Sequence, residues 1–295
     1  MRQETGFYAM GSWGTEPGRV AAIARHIPDA AVYVYGRSNI RSLFAYHGVA
    51  TVVPRCSTPG CSGLSPGALA AWLSGRDPVR LVMDGYPFGV LGDESETYIR
   101  RRRDRPTVYL HHRRNEPPVV DHEAFAAIIK VDPEPDVDGI DLYPILAFDD
   151  TELPTRTEAR ANIGAGDKPM VIIIGEGTTP NYRDYVIRQC DRRGVDHVVV
   201  STYPVMPLMP GADLVVGYVG FSQAEAEAVG VPMAGITNMA GPRQSWRCNT
   251  TPNDLADTIA ALAVRDAPER VSYTNNSRRA AALVMGNPDW ETVDG

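Results

Sequence analysis

Lysine is almost missing from this 295-residue chain: Lys130 and Lys168 are the only two, and arginine supplies the rest of the 29 basic residues. Against 36 acidic residues the formal net charge is −7, divided as −3 over residues 1–150 and −4 over the remainder. A chain without a basic surplus lacks the general footprint of a nucleic-acid binder. No apolar run approaches the roughly 20 residues a membrane-spanning helix needs. The N-terminal stretch, Met1-Arg2-Gln3-Glu4-Thr5-Gly6, has no apolar core of a signal peptide, so a cytoplasmic location is the expectation. Cysteine is scarce too, at positions 56, 61, 190 and 248. Cys56-Ser-Thr-Pro-Gly-Cys61 is half of a zinc site with no second pair to complete it, so reduced loop thiols and no bound metal are expected.

Two nucleotide-binding motifs are also absent. No G-x-x-x-x-G-K-[ST] occurs, which excludes a P-loop. The first glycine-rich loop reads Gly11-x-x-Gly14-x-x-x-Gly18, not G-x-G-x-x-G, and the second strand runs into Tyr35-Gly36-Arg37 with no acidic residue for a ribose. A nicotinamide-dependent dehydrogenase is thereby disfavoured.

What the chain does contain is ordinary for a soluble α/β protein, with 43% apolar and 22% charged residues. Its length suits two domains. Short apolar runs alternate with helical periodicity, the pattern of a parallel sheet with crossover helices. Strands are expected at 6–10, 31–35, 51–53, 79–83, 107–110 and 127–131, with helices at 17–26, 40–46 and 68–74. Residues 147–157 are polar and carry Pro154, so the interdomain linker is placed there. The pattern then restarts, with strands at 170–174, 197–201, 214–216 and 233–236 and helices at 157–163, 182–193, 222–229, 253–264 and 277–285. Two Rossmann-like domains follow, residues 1–147 and 148–295.

The most informative segment runs from Ala212 to Pro232. A strand ends at Gly217, Gly220 follows, and a helix opens at Ser222, read as its N-cap. Backbone N–H groups and the helix dipole at such a turn favour an anionic ligand. Glu225 lies one turn into the helix. It would repel a phosphate but could accept both hydroxyls of a ribose; equally, Ser222-x-x-Glu225 fits a capping box.

Asp213, Gly220, Ser222, Glu225 and Gly230-Val-Pro232 together resemble the donor-binding signature of GT-B glycosyltransferases, nearest to the family 28-like group that includes the peptidoglycan N-acetylglucosaminyltransferase. The run Gly241-Pro-Arg243-Gln244 resembles the segment whose Gln meets the donor sugar, although Gly241 and Pro242 stand near the place of the family Asp. Gly175-Glu176-Gly177-Thr178 resembles the loop over the diphosphate, and Tyr203 falls where the family holds the base. In the first half, Gly11 to Arg19, with Gly14, Thr15 and Glu16, resembles the acceptor loop; Thr15 and Glu16 stand near the place of a His that the family commonly carries. Asp84 opens an element resembling D-x-x-P-x-G.

The resemblance implies a GT-B fold, two Rossmann-like domains facing a central cleft. It implies transfer of a sugar from a nucleotide-diphosphate-sugar, a UDP-sugar first among them, with inversion and without metal or other cofactor. Gly175, Glu176, Gly177, Thr178, Tyr203, Gly220, Phe221, Ser222, Glu225, Arg243 and Gln244 would form the donor side, with the leaving diphosphate on the helix start and Arg243 as a supplement. Glu16 and Asp84 are the candidate bases for the acceptor hydroxyl. Gly14, Thr15, Arg113 and Arg114 would lie on the acceptor side. The run Arg100-Arg-Arg-Arg103-Asp-Arg105, with His111-His-Arg113-Arg114, reads either as a solvated face or as a contact for an anionic acceptor: a small molecule, a lipid-linked diphosphate or a nucleic acid. Three alternatives stand beside this reading: a phage-type DNA base glycosyltransferase, an epimerase or hydrolase of the same donors, and a non-catalytic nucleotide-sugar binder.

Overall fold

The computed structural model describes residues 4–10, 15–35, 41–52, 72–73, 75–84, 102, 104–111, 122–131, 138–175, 180–218, 221–236, 252–262 and 268–294. The chain divides into two compact units, residues 1–147 with 274–295, and residues 148–273.

Unit 1 is built on a seven-stranded sheet. Its strands are β1 (Thr5–Met10), β2 (Ala30–Tyr35), β3 (Ala50–Val52), β4 (Arg80–Asp84), β5 (Thr107–His111), β6 (Ala127–Lys130) and β7 (Ile140–Asp141), in the order β3-β2-β1-β4-β5-β6-β7. Every pairing is parallel. Helices α1 (Thr15–Ala24) and α2 (Arg41–Tyr46) follow β1 and β2. Alternate residues of four central strands, Tyr8, Tyr33, Met83 and Tyr109, project to one face and form a buried cluster with Trp72, Leu73 and Phe125. Phe7–Ala9 and Leu81–Met83 are buried at every position, and a strand covered on both faces reads as an unbroken apolar run.

Unit 2 holds a four-stranded parallel sheet in the order β11-β10-β8-β9, from β8 (Met170–Ile174), β9 (Asp196–Val200), β10 (Leu214–Tyr218) and β11 (Met233–Ile236). Its helices are α3 (Arg156–Asn162), α4 (Pro180–Arg193), α5 (Phe221–Ala228) and α6 (Pro252–Ala261). Thr155 and Glu158 close a reciprocal capping box at the start of α3. Val186 and Cys190 of α4 and Leu255 and Ile259 of α6 pack in one cluster with Val171, Ile173, Leu214 and Val216. Burial pushes the Cys190 thiol up to about 12, which makes it an inert core side chain.

Asp213, just before β10, is the polar tie of this unit. Its carboxylate accepts from Arg156 at 2.6 Å, from Arg160 at 3.4 Å and from the Met170 amide at 2.8 Å. It thus joins α3 to two adjacent strands. Asp213→Asn keeps the shape but halves the acceptor capacity and removes the charge. The expected cost is about 1–3 kcal/mol in urea unfolding, with the spectrum of the folded protein unchanged.

Residues 274–295, which chain order groups with the second half, pack with unit 1. Helix α7 (Ser277–Val284) turns Ala280, Ala281 and Val284 inward. The Asn275 side chain donates to the Leu146 carbonyl at 2.8 Å and accepts from the Leu146 amide at 3.0 Å. His26 on the loop after α1 shares a 3.1 Å hydrogen bond with Ser277. The segment expected to be a polar linker is also ordered: Phe148 and Asp149 are buried, and residues 150–152 form a turn of 3-10 helix. Arg270 and Tyr273 anchor it within unit 2, donating to the Asp150 and Phe148 carbonyls at 2.6 and 2.8 Å.

Candidate functional site

In a parallel sheet the carboxyl ends of all strands share one edge, and a ligand crevice opens where the strand order reverses. In unit 2 that reversal lies between β8 and β10, because β9 is laid down on one side of β8 and β10 on the other. The segments that leave the sheet there are Gly175, after β8, and the connection from β10 to α5. Gly217 is where the two strands press closest: a Cβ there would lie 2.9 Å from that of Ile174, so only glycine allows the approach. Glu176, Gly177 and Thr178 lie outside the described residues, as does Gly220.

The strand β10 runs through Gly217 to Tyr218, and α5 begins at Phe221. Ser222 is therefore the second residue of the helix and not its N-cap. Its hydroxyl shares a 2.8 Å hydrogen bond with the phenol of Tyr203, and both side chains are buried. Tyr203, expected at the base, is thereby placed against the start of α5. At the other end Gly230, at φ +76°, lets the Val231 amide reach back to the Ala226 carbonyl at 2.9 Å, a Schellman closure. The Gly230-Val-Pro232 signature is thus a helix stop.

Glu225 follows Ser222 by three residues and so shares its face of α5. It is 0% exposed, and neither carboxyl oxygen has a hydrogen-bond partner among the described residues. The capping-box alternative is thereby set aside, since among the described residues, Ser222 included, no backbone amide or hydroxyl binds this carboxyl. Burial holds it well above the ordinary value of 4.5. Tyr273 lies within electrostatic reach; its phenol is pushed up by burial, and by the charges of Asp150, Asp149 and Glu225. An unpartnered buried carboxyl costs stability unless a ligand satisfies it.

Unit 1 has its own strand-order reversal, between β1 and β4. Asp84 is the last residue of β4 and is 0% exposed; Arg19, 4% exposed on α1, bonds it at 3.0 Å. Asp84 is thus committed to a buried guanidinium. Thr15 and Glu16 are the first two residues of α1, one turn before Arg19, and only their backbone is described. The sequence reading missed Arg19 because nothing local distinguishes it from the other arginines; Tyr273, 48 positions after Glu225, carried no signal either.

The arginine run divides. Arg102 is only 7% exposed, donates to the Pro78 carbonyl at 2.6 Å and faces Asp77 at 3.9 Å. Arg105 is ion-paired with Asp77, whose carboxyl its hydrogen bond draws below the usual range. These two serve the fold and do not form part of a free cationic face. Arg100, Arg101, Arg103, Arg113 and Arg114 lie outside the described residues, as do Gly14, Arg243, Gln244, Cys56, Cys61 and Cys248. The side chain of Phe221 is likewise outside them. Among the described residues no group of three or more His, Cys, Asp or Glu is arranged to hold a metal, and no helix is long and apolar enough to cross a membrane.

No protein-family model matches the sequence, and neither does any curated protein. Solved structures do match. A candidate UDP-N-acetylglucosamine 2-epimerase from Listeria monocytogenes is similar at a TM-score of 0.59 and 10% identity, over 100% of this chain and 99% of that one. The glycosyltransferase SnogD from Streptomyces nogalater is similar at 0.53 and 11% identity, over 97% and 100%. Anabaena Alr3699/HepE in complex with UDP and glucose is similar at 0.53 and 13% identity, over 99% and 97%. With its seven-stranded and four-stranded parallel sheets, the chain has the GT-B fold.

Proposed function

We propose that the protein is a glycosyltransferase that takes its sugar from a nucleoside-diphosphate sugar held by residues 148–273. The observation that carries this reading is Glu225, a buried carboxyl with no hydrogen-bond partner among the described residues, one turn into the helix that opens beside the strand-order reversal. Two hydroxyls of a ribose are the donors such a carboxylate lacks. The start of α5, with Ser222 and Tyr203, offers N–H and hydroxyl donors to the diphosphate, and the helix dipole stabilises the charge that develops as it leaves. The similarity to Anabaena Alr3699/HepE, whose structure is in complex with UDP and glucose, supports the same class of ligand. We extend the reading to the family 28-like group, to a UDP-sugar, and to inversion without a metal.

Unit 1 is proposed to receive the acceptor. Glu16, at the start of α1, is the better candidate for the base, because Asp84 is already engaged by Arg19. The epimerase-like neighbour favours a second reading, in which the same donor is rearranged or hydrolysed with no acceptor.

Calorimetric titration with UDP-glucose, dTDP-glucose and GDP-mannose tests the donor site, followed by product analysis without any acceptor. At least one donor is expected to bind with a Kd below about 1 mM, equivalent to about −4 kcal/mol. Binding by none of them defeats the reading. Rapid conversion of the donor in the absence of acceptor replaces it with the second one.

A further inference from the structure

Resting on the donor reading above, we propose that nucleotide binding is coupled to the release of one proton from Glu225: the carboxyl is neutral in the free protein and ionises when two ligand hydroxyls donate to it. The enclosure of the carboxyl is what points to this exchange. A carboxylate in a fully enclosed position, with neither oxygen hydrogen-bonded, is far costlier than the neutral acid. No basic side chain among the described residues lies within ion-pairing distance of it.

The groups around it do not take up the role. On its own helix, Glu227 is bonded by Gln223 at 2.8 Å. Just before β10, Asp213 is consumed by Arg156 and Arg160. Strand β11 and the 3-10 segment Met206–Gly211 carry no titratable side chain. Tyr203 is tied to Ser222, and Tyr273 donates to the Phe148 carbonyl. Burial raises both the Glu225 carboxyl and the Tyr273 phenol.

A vicinal diol reverses the balance. Hydrogen bonds to an ionised acceptor are about twice as strong as those to a neutral one, so two hydroxyl donors favour the carboxylate. The proton passes to solvent, and the O–H groups of the ligand remain intact. Affinity then rises with pH between the bound-state and free-state values of the Glu225 carboxyl, by up to about tenfold per pH unit, and levels off above the free-state value.

The experiment is calorimetric titration with the same three donors in two buffers of different ionisation enthalpy, at several values between about pH 6 and pH 8. The phosphates of a sugar diphosphate keep a fixed charge in that range, so protons released there come from the protein. The expected result is release of up to one proton per ligand, affinity that climbs with pH, and loss of both in Glu225→Gln. Binding without proton exchange overturns the inference and leaves the donor site standing. Proton release that persists in Glu225→Gln also overturns it, by moving the source elsewhere. Failure of all three donors to bind removes both.

Discussion

Glu225→Gln is expected to produce a protein that binds nucleotide worse and folds better. Loss of the charged acceptor should weaken donor binding by about 10- to 100-fold, the range for a hydrogen bond to an ionised group. The stability change has a definite sign. The folded protein holds the Glu225 carboxyl above 4.5, so the native state binds more protons than the unfolded chain as pH rises past that value. Stability contributed by this group is complete below the unfolded value and falls by up to about 1.4 kcal/mol per pH unit until the folded value is reached. Glutamine does not titrate. The variant and the parent should therefore have nearly equal midpoints near pH 4, and the variant should gain an increasing advantage toward pH 8. For a chain of this size each kcal/mol moves Tm by about 2–4 °C. Thermal unfolding of both proteins across that range checks the result. A variant that loses stability at every pH would show that Glu225 makes a contact in the native state after all, and the site would lose its main support.

Arg19→Ala carries the largest expected loss of stability. It leaves the Asp84 carboxylate fully buried at the end of β4 without its guanidinium, and breaking a buried pair in this way costs about 3–5 kcal/mol. Replacing both members, as Arg19→Met with Asp84→Asn, should recover much of that loss, because no uncompensated charge then remains. A double-mutant cycle in urea measures the coupling. The same variants separate two roles for Asp84. As a base it would lose turnover by about 100-fold or more in Asp84→Asn with stability nearly intact. As the anchor of α1, it would lose stability first, and turnover only as far as the helix start that carries Glu16 is displaced. The buried 3.0 Å pair favours the anchor. Equal turnover and reduced stability in Asp84→Asn is the expected pattern.

Much of the architecture could be read from short-range pattern. Met170–Ile174 is an unbroken apolar run because both faces of β8 are covered, and its boundaries follow from composition alone. Thr155 and Glu158 announce the start of α3 through a local capping box. Gly230 marks the end of α5 because a positive φ is needed at that one position. Each of these features depends on neighbours within about five residues. The strand-order reversal between β8 and β10 lies beyond such local signals, because strand order is a tertiary property.

The side-chain roles divided along the same line. By itself the sequence determined two parallel α/β units and a helix carrying Ser222 and Glu225 after an apolar strand, since spacing and periodicity are local. Only the tertiary structure decided that Ser222 bonds Tyr203, that Glu225 is enclosed with no hydrogen-bond partner among the described residues, that Asp84 belongs to Arg19, and that Arg102 is buried against Pro78. It also returned residues 274–295 to unit 1, through the Asn275 bonds to Leu146. Those pairings join residues from 19 to 129 positions apart. Burial and partnership at such separations are set by packing, which no window of neighbouring residues encodes.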